Sequence, residues 1–529
     1  MKIMAWGLAG LSGLLVAGPA WAAVFDVMPG DDVEAVINAA QPGDEIVLAD
    51  GEYMLTERFS FDIAGTEAQP IVIRAADGAQ PHLRRPDASQ NIIDIDGATW
   101  VEIRGIEFSG GSAGIRISAA DHLTIEDCEI HDTGDVALRA NDTGALYESL
   151  RIIHNEIHHT NETGEGMYLG CNGNACQVAN SVIERNYVHH TNQASIVQGD
   201  GIELKEGSYG NVIRDNVIHD TNYPCILTYS TVGNGPANVI ERNVLWNCGD
   251  HAIQSAADAT IRNNIILSAA QDGIAMQQHQ SGNPQNLLVV HNTILKSVND
   301  AISLRDTVGA VTIANNAVYA SGGSAIFIGG GDTSMLTLAG NVGQGGVSGG
   351  GGGYVDGNLM ADFVDGHFGG APPIDVFPAP GGALVGAGDP AYVPDDDFNA
   401  LARDGEADVG AYRYDPAGNP GWALAAEFKE FPDDGGGATS GGETGDDTAG
   451  NDSLDGTSGS PGDETNGSAS DGSSAGESGT AATAASAGAD GGDGGGGGCG
   501  CRARPDPRAP RLGGLALLVL LGALRRRRR

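Results

Sequence analysis

The feature that most constrains this 529-residue chain is an internal repeat over residues 98–342. Each unit has an apolar residue, two further residues, an Asn, one more residue and then usually Ile or Val. Successive units lie 21 to 31 residues apart, which leaves no room for crossover helices between short strands. The Asn of the unit recurs at Asn155, Asn186, Asn216, Asn243, Asn264, Asn292 and Asn316, with Ile106 and Cys128 at this position in earlier units and Asn341 at the start of a last one.

The repeat predicts an all-β fold, a right-handed parallel β-helix with three short strands per coil. Asn tolerates the left-handed turn conformation and can hydrogen-bond to the same Asn one coil further on, so we expect an Asn ladder. Charges of opposite sign alternate where coils would lie ~4.8 Å apart, which stacked strands favour. This alternation runs through Glu184, Arg214, Glu241 and Arg262.

Charge and the amino-terminal segment predict an exported, acidic protein. The net charge of −41 excludes nucleic acid as a partner, because phosphate binding needs a basic face. Lys2, the apolar residues 3–16 and the small-residue site at 20–22 predict a secretory signal peptide over residues 1–22. We expect residues 23–431 to form a monomeric β-helix with an N-terminal cap and a C-terminal closing segment.

The carboxyl-terminal end predicts a stalk and an anchor. Residues 432–498 are rich in Gly, Ser and Asp and lack Lys and Arg, so they cannot offset the entropy of ordering and predict a disordered linker. Residues 499–529 contain two cysteines, an apolar run and five final arginines. This tail resembles the myxobacterial C-terminal sorting signal. The resemblance implies export to the cell surface or outer membrane, with membrane contact only through the tail.

Five cysteines lie outside this tail. Cys171 and Cys176 flank a four-residue loop and predict a disulfide in an oxidising compartment. A metal-binding pair is the alternative, although no second pair stands nearby at ligand spacing. The sequence assigns no partner to Cys128, Cys225 or Cys248.

Motifs before the repeat point to a known family. They are residues 41–44 (QPGD), 46–53 (IVLADGEY), 65–66 (GT) and 70–73 (PIVI). Together they resemble the first coil of pectin-lyase-like proteins, notably the alginate lyase and chondroitinase B family of polysaccharide lyases. The resemblance implies a β-helix over roughly residues 24–415 and a capping helix near residues 32–40 that covers the open sheet edge. Residues 395–412 resemble the closing segment of secreted β-helix proteins.

The richest polar face of the chain is centred on residues 200–206. One strand of each coil begins at a recurring apolar position, usually Ile. The side chains one and three residues after that position should point outward and form two columns across the coils, and a third set lies two residues before it. The first column is Tyr168, Glu203, Leu227, Gln254, Ala275 and Ser303. The second is Gly170, Lys205, Tyr229, Ala256, Gln277 and Arg305, and the third set is Glu165, Asp200, Pro224, His251, Asp272 and Asp300.

The family resemblance implies a chemistry for this face. In the lyase family a Lys removes the C5 proton of a uronic acid, an Arg on the next coil assists, and Ca²⁺ neutralises the sugar carboxylate. Lys205 matches that Lys, whereas Tyr229 or Ser230 stands where the family has Arg. The sequence therefore predicts Lys205 as base, Tyr229 as acid, and Glu165 and Asp200 as Ca²⁺ ligands. A salt-bridged surface lysine is the alternative for Lys205.

The remaining polar side chains of this face are candidates for binding a polysaccharide. Arg305 would lie roughly 19 Å from Lys205 and could reach only a distant sugar of a long polymer. We expect a surface protein that binds a polysaccharide or cell-surface glycan and cleaves it by β-elimination; a non-catalytic adhesin or structural module is the alternative. The predicted substrate-binding residues are Tyr168, Glu203, Gln254, Gln277 and Arg305.

A further column stands three residues after the ladder position of each coil. Stacked imidazoles could bind a transition metal, or the repeat could reuse them for stacking alone. The sequence leaves both open. The column comprises His131, His158, His189, His219 and Trp246.

Overall fold

The computed structural model describes residues 22–280 and 282–431, and within them two long parallel sheets carry the architecture. One sheet has 26 strands and the other has 13. Nearly all of the signal peptide, together with the predicted linker at 432–498 and the tail at 499–529, lies outside the described residues. Among the described residues, no helix has the length and apolar character needed to cross a bilayer.

The strands are short and recur at each coil. The 26-stranded sheet contains Val24–Val27, Glu45–Leu48, Ser60–Ala64, Ile71–Ala75, Ile93–Arg104, Ile115–Ile117, Ala120–Glu126, Leu138–Ala140, Leu146–Glu148, Arg151–Ile153, Met167–Leu169, Gln177–Ala179, Val182–Glu184, Ile202–Leu204, Val212–Arg214, Ile226–Thr228, Asn238–Glu241, Ile253–Ser255, Ala259–Arg262, Ile274–Met276, Leu287–Val290, Ile302–Thr307, Val311–Ala314, Ile326–Gly331, Leu336–Ala339 and Val347–Ser348. The 13-stranded sheet contains Gly51–Met54, Pro81–Arg85, Glu107–Gly110, Glu129–His131, Glu156–His158, Tyr187–Thr191, Val217–Thr221, Val244–Cys248, Ile265–Ile266, Thr293–Lys296, Ala317–Ala320, Asn341–Gln344 and Tyr354–Asp356. An antiparallel pair joins Phe363–Asp365 to Asp375–Pro378.

Helical structure is sparse and lies mostly near the two ends of the coil stack. The α-helix Val33–Ala39 begins after Asp32, whose carboxylate accepts a hydrogen bond from the Ala35 N–H, and it buries Val33 and Ile37. This helix confirms the predicted cap at residues 32–40. The other helical segments are the α-helix Leu359–Asp362 and the 3₁₀ turns Asn172–Asn174, Thr333–Met335 and Pro390–Tyr392.

The Asn ladder is present and buried. Each side-chain amide donates to the side-chain oxygen of the next Asn at 2.9–3.0 Å, from Asn155 through to Asn341. The same oxygen also accepts the backbone N–H of the preceding ladder Asn, so the ladder pairs main chain as well as side chains. The ladder thereby pairs the buried carboxamides and the backbone N–H groups of the turn.

The left-handed residue of this turn is not the ladder Asn, which corrects the reasoning from sequence. The residue just before each Asn has a positive φ, for example 57° at Asp215 and 57° at Arg242. That residue makes the bend, and the Asn that follows it in sequence can then direct its carboxamide into the interior of the coil. The ladder selects Asn for its paired donor and acceptor rather than for its backbone preference.

The predicted charge alternation is confirmed by the strand register. Glu184 pairs with Arg214, Arg214 with Glu241 and Glu241 with Arg262 in adjacent strands. The Arg214 Nε donates to Glu184 at 2.6 Å and the Arg262 Nε to Glu241 at 2.7 Å.

Residues 359–431 pack on the outer face of the 13-stranded sheet. Phe363, Phe377 and Tyr412 form one apolar cluster with strand residues such as Trp246 and Tyr319. Lys429 is fully buried at the end of this segment and donates to the Asp215 carboxylate at 2.8 Å and to the Phe398 carbonyl at 2.7 Å.

Two disulfides lie within residues 22–431. Cys171–Cys176 closes the predicted small loop, and Cys225–Cys248 joins adjacent coils, a pairing the sequence left unassigned. Cys128 is a free, buried thiol whose pKa is raised to about 12 by burial.

Replacing Asn243 with alanine is expected to destabilise the fold by about 3 kcal/mol. The change removes the acceptor of the Asn216 N–H and the donor to the Ile213 carbonyl, and leaves both groups buried. Urea unfolding measures the loss. The matched control is Asn192→Ala at an exposed position, for which we expect a change within about 0.5 kcal/mol. Equal stability of the two variants would contradict a structural role for the ladder.

Candidate functional site

The predicted polar face lies on one strand column of the 26-stranded sheet. Tyr168 pairs with Glu203, Glu203 with Leu227 and Leu227 with Gln254 in successive parallel strands. The register continues through Ala275 to Ser303. Counting along the repeat therefore placed the first column correctly, and side chains far apart in sequence lie on one face.

Lys205, Glu203 and Tyr229 meet in a buried hydrogen-bonded group at the centre of this face. The Lys205 ammonium donates to Glu203 Oε1 at 2.7 Å and to the Tyr229 hydroxyl at 3.2 Å. The Tyr229 hydroxyl in turn donates to the same Glu203 oxygen at 2.9 Å. The Lys205 side chain is 4% exposed and Tyr229 is 2% exposed. Lys205 is thus salt-bridged but is not the surface lysine that the sequence left as an alternative.

Three buried carboxylates lie together beside this group. Oxygen atoms of Glu165, Asp200 and Glu203 lie within 4.8 Å of one another. Among residues 22–280 and 282–431, no group hydrogen-bonds to either oxygen of Glu165, to Asp200 Oδ1 or to Glu203 Oε2. The nearby Thr163 hydroxyl donates to Asp135 instead. Buried carboxylate oxygens without donors are costly unless a proton or a cation neutralises them.

Burial and mutual repulsion raise the pKa values of this cluster. Burial, followed by the charge of Glu203, raises the pKa of Glu165 to about 7. Burial and the charges of Glu203 and Glu165 raise the pKa of Asp200 well above its ordinary value. The cluster would therefore hold protons near neutral pH when no cation is bound.

Burial, reinforced by Glu203, also raises the pKa values of both tyrosines of the site above their usual range. Tyr229 therefore keeps its proton across the range in which proteins are stable. The ring of Tyr168 lies 5.0 Å from the Lys205 Nζ and that of Tyr229 lies 4.6 Å from it. Only Tyr168 is partly exposed, so of the two rings it can offer a stacking surface to a sugar.

The other predicted binding residues lie further along the same face and make separate contacts. Gln277 lies 3.3 Å from His251 Nε2 and 3.5 Å from Gln254, and Gln254 is largely buried. Arg305 is 39% exposed, pairs with Asp272 at 3.6 Å and Asp300 at 3.8 Å, and covers the Phe327 ring. These residues form no hydrogen bond or ion pair with Lys205, Glu203 or Tyr229, and they lie on the following coils of the same face.

Sequence reasoning missed two residues of the turn after strand Ile274–Met276. His279 stacks on the Tyr229 ring at 5.0 Å, and its pKa is lowered to about 4 by burial. The Gln280 carboxamide lies between the Tyr229 hydroxyl and Glu206, with its nitrogen best placed toward Glu206. This turn falls outside the repeat, so no periodic signal marked it.

The apo stability of the protein should depend on pH through Glu165. Its pKa rises from 4.5 to about 7 on folding, so its stabilising contribution is complete below about pH 4.5 and is lost as the pH rises through about 7. In EDTA, we expect the free energy of unfolding to fall by up to about 3 kcal/mol between about pH 5 and pH 8. Urea unfolding of wild type against Glu165→Gln isolates this term. Parallel pH profiles would contradict it.

Comparisons with known proteins identify the architecture. Residues 25–221 match the family model described as Pel9A-like, right handed beta helix region, and residues 182–318 match the right handed beta helix region model. The chain is a right-handed β-helix protein. A comparison with curated protein sequences gives no match.

Solved structures share this β-helix at low sequence identity. The complex of XylC with xylose has a TM-score of 0.50 and 11% identity, covering 74% of this chain and 98% of that one. Pectate lyase Pel9A has a TM-score of 0.44 and 15% identity, covering 75% and 97%. An alginate lyase from Paenibacillus sp. str. FPU-7 has a TM-score of 0.41 and 20% identity, covering 62% and 99%. At these identities the likeness concerns the fold.

Proposed function

We propose that this β-helix protein binds a uronic acid-containing polysaccharide and cleaves it by β-elimination at Lys205. One observation carries the proposal: the buried carboxylates of Glu165, Asp200 and Glu203, four of whose oxygens have no hydrogen-bond donor, lie beside a hydrogen-bonded Lys–Tyr pair. The arrangement combines a cation-binding cluster, an amine and a protonated phenol at one point of an elongated face.

The residues divide the two proton transfers between them. Lys205 first gives its ammonium proton to Glu203 Oε1, 2.7 Å away; the neutral amine then takes the proton from C5 of the uronate, and the C5–H electron pair forms the C4–C5 double bond. The C4–O4 bond then breaks, and the leaving oxygen takes the Tyr229 proton. The raised pKa of Tyr229 keeps that proton available, and the 3.2 Å contact between the two groups lets the proton return to Tyr229 from Lys205 afterwards.

The carboxylate cluster fits a hard divalent cation. Its unpaired oxygens are the ligands that Ca²⁺ prefers, and their buried negative charge requires compensation. When bound by Glu165, Asp200 and Glu203, Ca²⁺ would neutralise the substrate carboxylate and so acidify the C5 proton. Glu203, predicted from sequence as a substrate contact, is assigned here to the cation cluster.

Residues further along the face would hold the rest of the polymer. Tyr168 offers an aromatic surface, Gln254 and Gln277 offer amides, and Arg305 offers a charge to a distant carboxylate. The chain's net charge of −41 would repel an acidic polymer at long range, so we expect binding to require Ca²⁺. Export and surface attachment through residues 499–529 complete the proposal.

A non-catalytic glycan-binding module is the second candidate. It is favoured by the burial of Lys205 and Tyr229 and by the 2.7 Å ion pair that Lys205 makes with Glu203. A surface adhesin would need only the exposed part of the face, including Tyr168 and Arg305.

The test incubates the full-length protein with alginate, pectate and glycosaminoglycans, with and without Ca²⁺. The proposal predicts Ca²⁺-dependent growth of the ultraviolet absorbance of a C4–C5 double bond on at least one polymer. Binding to a glycan array with no unsaturated product from any polymer would favour the adhesin.

A further inference from the structure

A second cluster of titratable side chains lies on the 13-stranded sheet, where the predicted histidine column forms a continuous stack. Ring centroids are 5.0 Å apart for His131–His158, 4.9 Å for His158–His189 and 5.3 Å for His189–His219. Trp246 closes the stack at 4.3 Å from His219. The stacking interpretation of the column is confirmed. Stacking does not account for the ring nitrogens, which lie at the edge of the stack and contact other polar groups.

The residue after each histidine turns back to the same side of the sheet. Successive side chains of a regular strand point to opposite faces. Here the second residue has a positive φ, 54° at His190 and 52° at Asp220, and this left-handed bend brings both side chains together. His189 Nδ1 lies 2.7 Å from His190 Nδ1, and His219 Nδ1 lies 2.6 Å from Asp220 Oδ2.

These two pairs lie on adjacent coils and bring three possible metal ligands together. Ligand atoms of His190, His219 and Asp220 lie within 4.8 Å of one another, and His189 Nδ1 contacts the His190 ring from behind. The rings of His190 and His219 are inclined at 75° with centroids 5.7 Å apart, so their nitrogens are not held in a parallel stack.

Outer contacts orient two of these imidazoles. Glu156 Oε1 lies 3.1 Å from His189 Nε2, and because a carboxylate only accepts, Nε2 carries the proton and leaves a lone pair on Nδ1. His219 is held from both sides: its Nδ1 donates to Asp220 at 2.6 Å, and the Tyr187 hydroxyl donates to its Nε2 at 2.9 Å, so a metal ion would replace the Nδ1 proton. Such contacts behind the ring are typical of metal-ligating histidines.

We propose that His190, His219 and Asp220 bind one divalent transition-metal ion of the Zn²⁺ class. Two imidazoles and one carboxylate with an open position for water suit Zn²⁺, Co²⁺ or Ni²⁺, whereas Ca²⁺ takes six to eight oxygen ligands. His190 and Asp220 are partly exposed, which gives the ion access from solvent. The site is separate in ligand type from the carboxylate cluster and does not depend on the proposed lyase activity.

Two neighbouring groups on the same face share His131. They are His82 with Glu107 and His131, and Glu129 with His131 and His158. In both, a carboxylate contacts a histidine Nε2, as in the 3.1 Å contact of Glu107 with His131. His131 therefore supplies a matched control on the same stack.

The experiment titrates EDTA-treated, full-length protein with ZnCl₂ by calorimetry and with CoCl₂ by visible absorption, in saturating Ca²⁺. We expect one site with imidazole-type cobalt bands. His190→Ala and the isosteric Asp220→Asn should each weaken Zn²⁺ binding by at least about 10-fold, and the double variant should abolish it. His131→Ala should leave the affinity within about twofold.

Far-ultraviolet circular dichroism establishes that each variant is folded. Three outcomes would overturn the assignment: no Zn²⁺ binding by wild type, equal binding by wild type and the His190→Ala/Asp220→Asn double variant, or loss of binding in His131→Ala alone. The last would place the ion two coils away along the stack.

Discussion

Lys205→Met is expected to lower kcat/KM for β-elimination by at least about 1,000-fold, because the change removes the amine that accepts the C5 proton. Methionine keeps the length of the side chain and fills the same buried space between Tyr168 and Tyr229. The initial rate of double-bond formation, followed by absorbance on the polymer that wild type cleaves, gives the result directly.

A second variant, at the neighbouring Tyr229, should have a smaller effect. Tyr229→Phe removes only the hydroxyl that lies 3.2 Å from Lys205 Nζ, so a loss of about 100-fold is expected with little change in glycan binding. Arg84→Met, at an exposed position on the 13-stranded sheet, serves as the control and should retain wild-type activity. A folded Lys205→Met protein with wild-type kinetics would remove Lys205 from the mechanism.

Ca²⁺ is expected to stabilise the wild-type protein by about 3 kcal/mol at a concentration near 100 times its Kd, since it binds the folded state alone. The Glu165→Gln/Asp200→Asn double variant should show no such gain, because neutral amides replace the charges that hold the ion. The variant should also be more stable than wild type in EDTA at about pH 8, since it carries no repelling buried charges. Thermal unfolding with and without Ca²⁺ measures both effects.

Glu57→Gln is the matched control, because it removes one exposed carboxylate outside the cluster. It should keep the full response to Ca²⁺. An undiminished response in the double variant would show that Ca²⁺ binds elsewhere on this acidic surface.

The coil stack could be predicted because its signals are local and repeated. Each ladder Asn must find the next one, and each strand charge must face its opposite, so spacing alone fixed the register that pairs Tyr168 with Glu203. The disulfide Cys225–Cys248 could not be predicted from the sequence. Its two cysteines lie on adjacent coils, and the repeat does not show which cysteines of neighbouring coils come close together. From the sequence, the left-handed conformation was placed on the ladder Asn, one position too late. The recurrence of Asn marks the hydrogen-bonded ladder but does not show which residue of the turn has a positive φ.

The site was predicted in composition but not in environment. Column counting brought Lys205, Tyr229, Glu165 and Asp200 together, yet it placed Lys205 on an open surface. The turn that carries His279 and Gln280 lies outside the repeat, and it covers the Tyr229 side chain that contacts the lysine. Burial also leaves Glu203 Oε2 without a hydrogen-bond donor, and this depends on solvent exclusion rather than on residue type.

The most direct measurement is a crystal structure of the Lys205→Met protein soaked with Ca²⁺ and an oligouronate. The proposal predicts one ion bound by Glu165, Asp200 and Glu203, with a sugar carboxylate on it and C5 facing residue 205. An ion-free cluster, or a sugar bound only on another face, would contradict a cation-assisted lyase centre at this position.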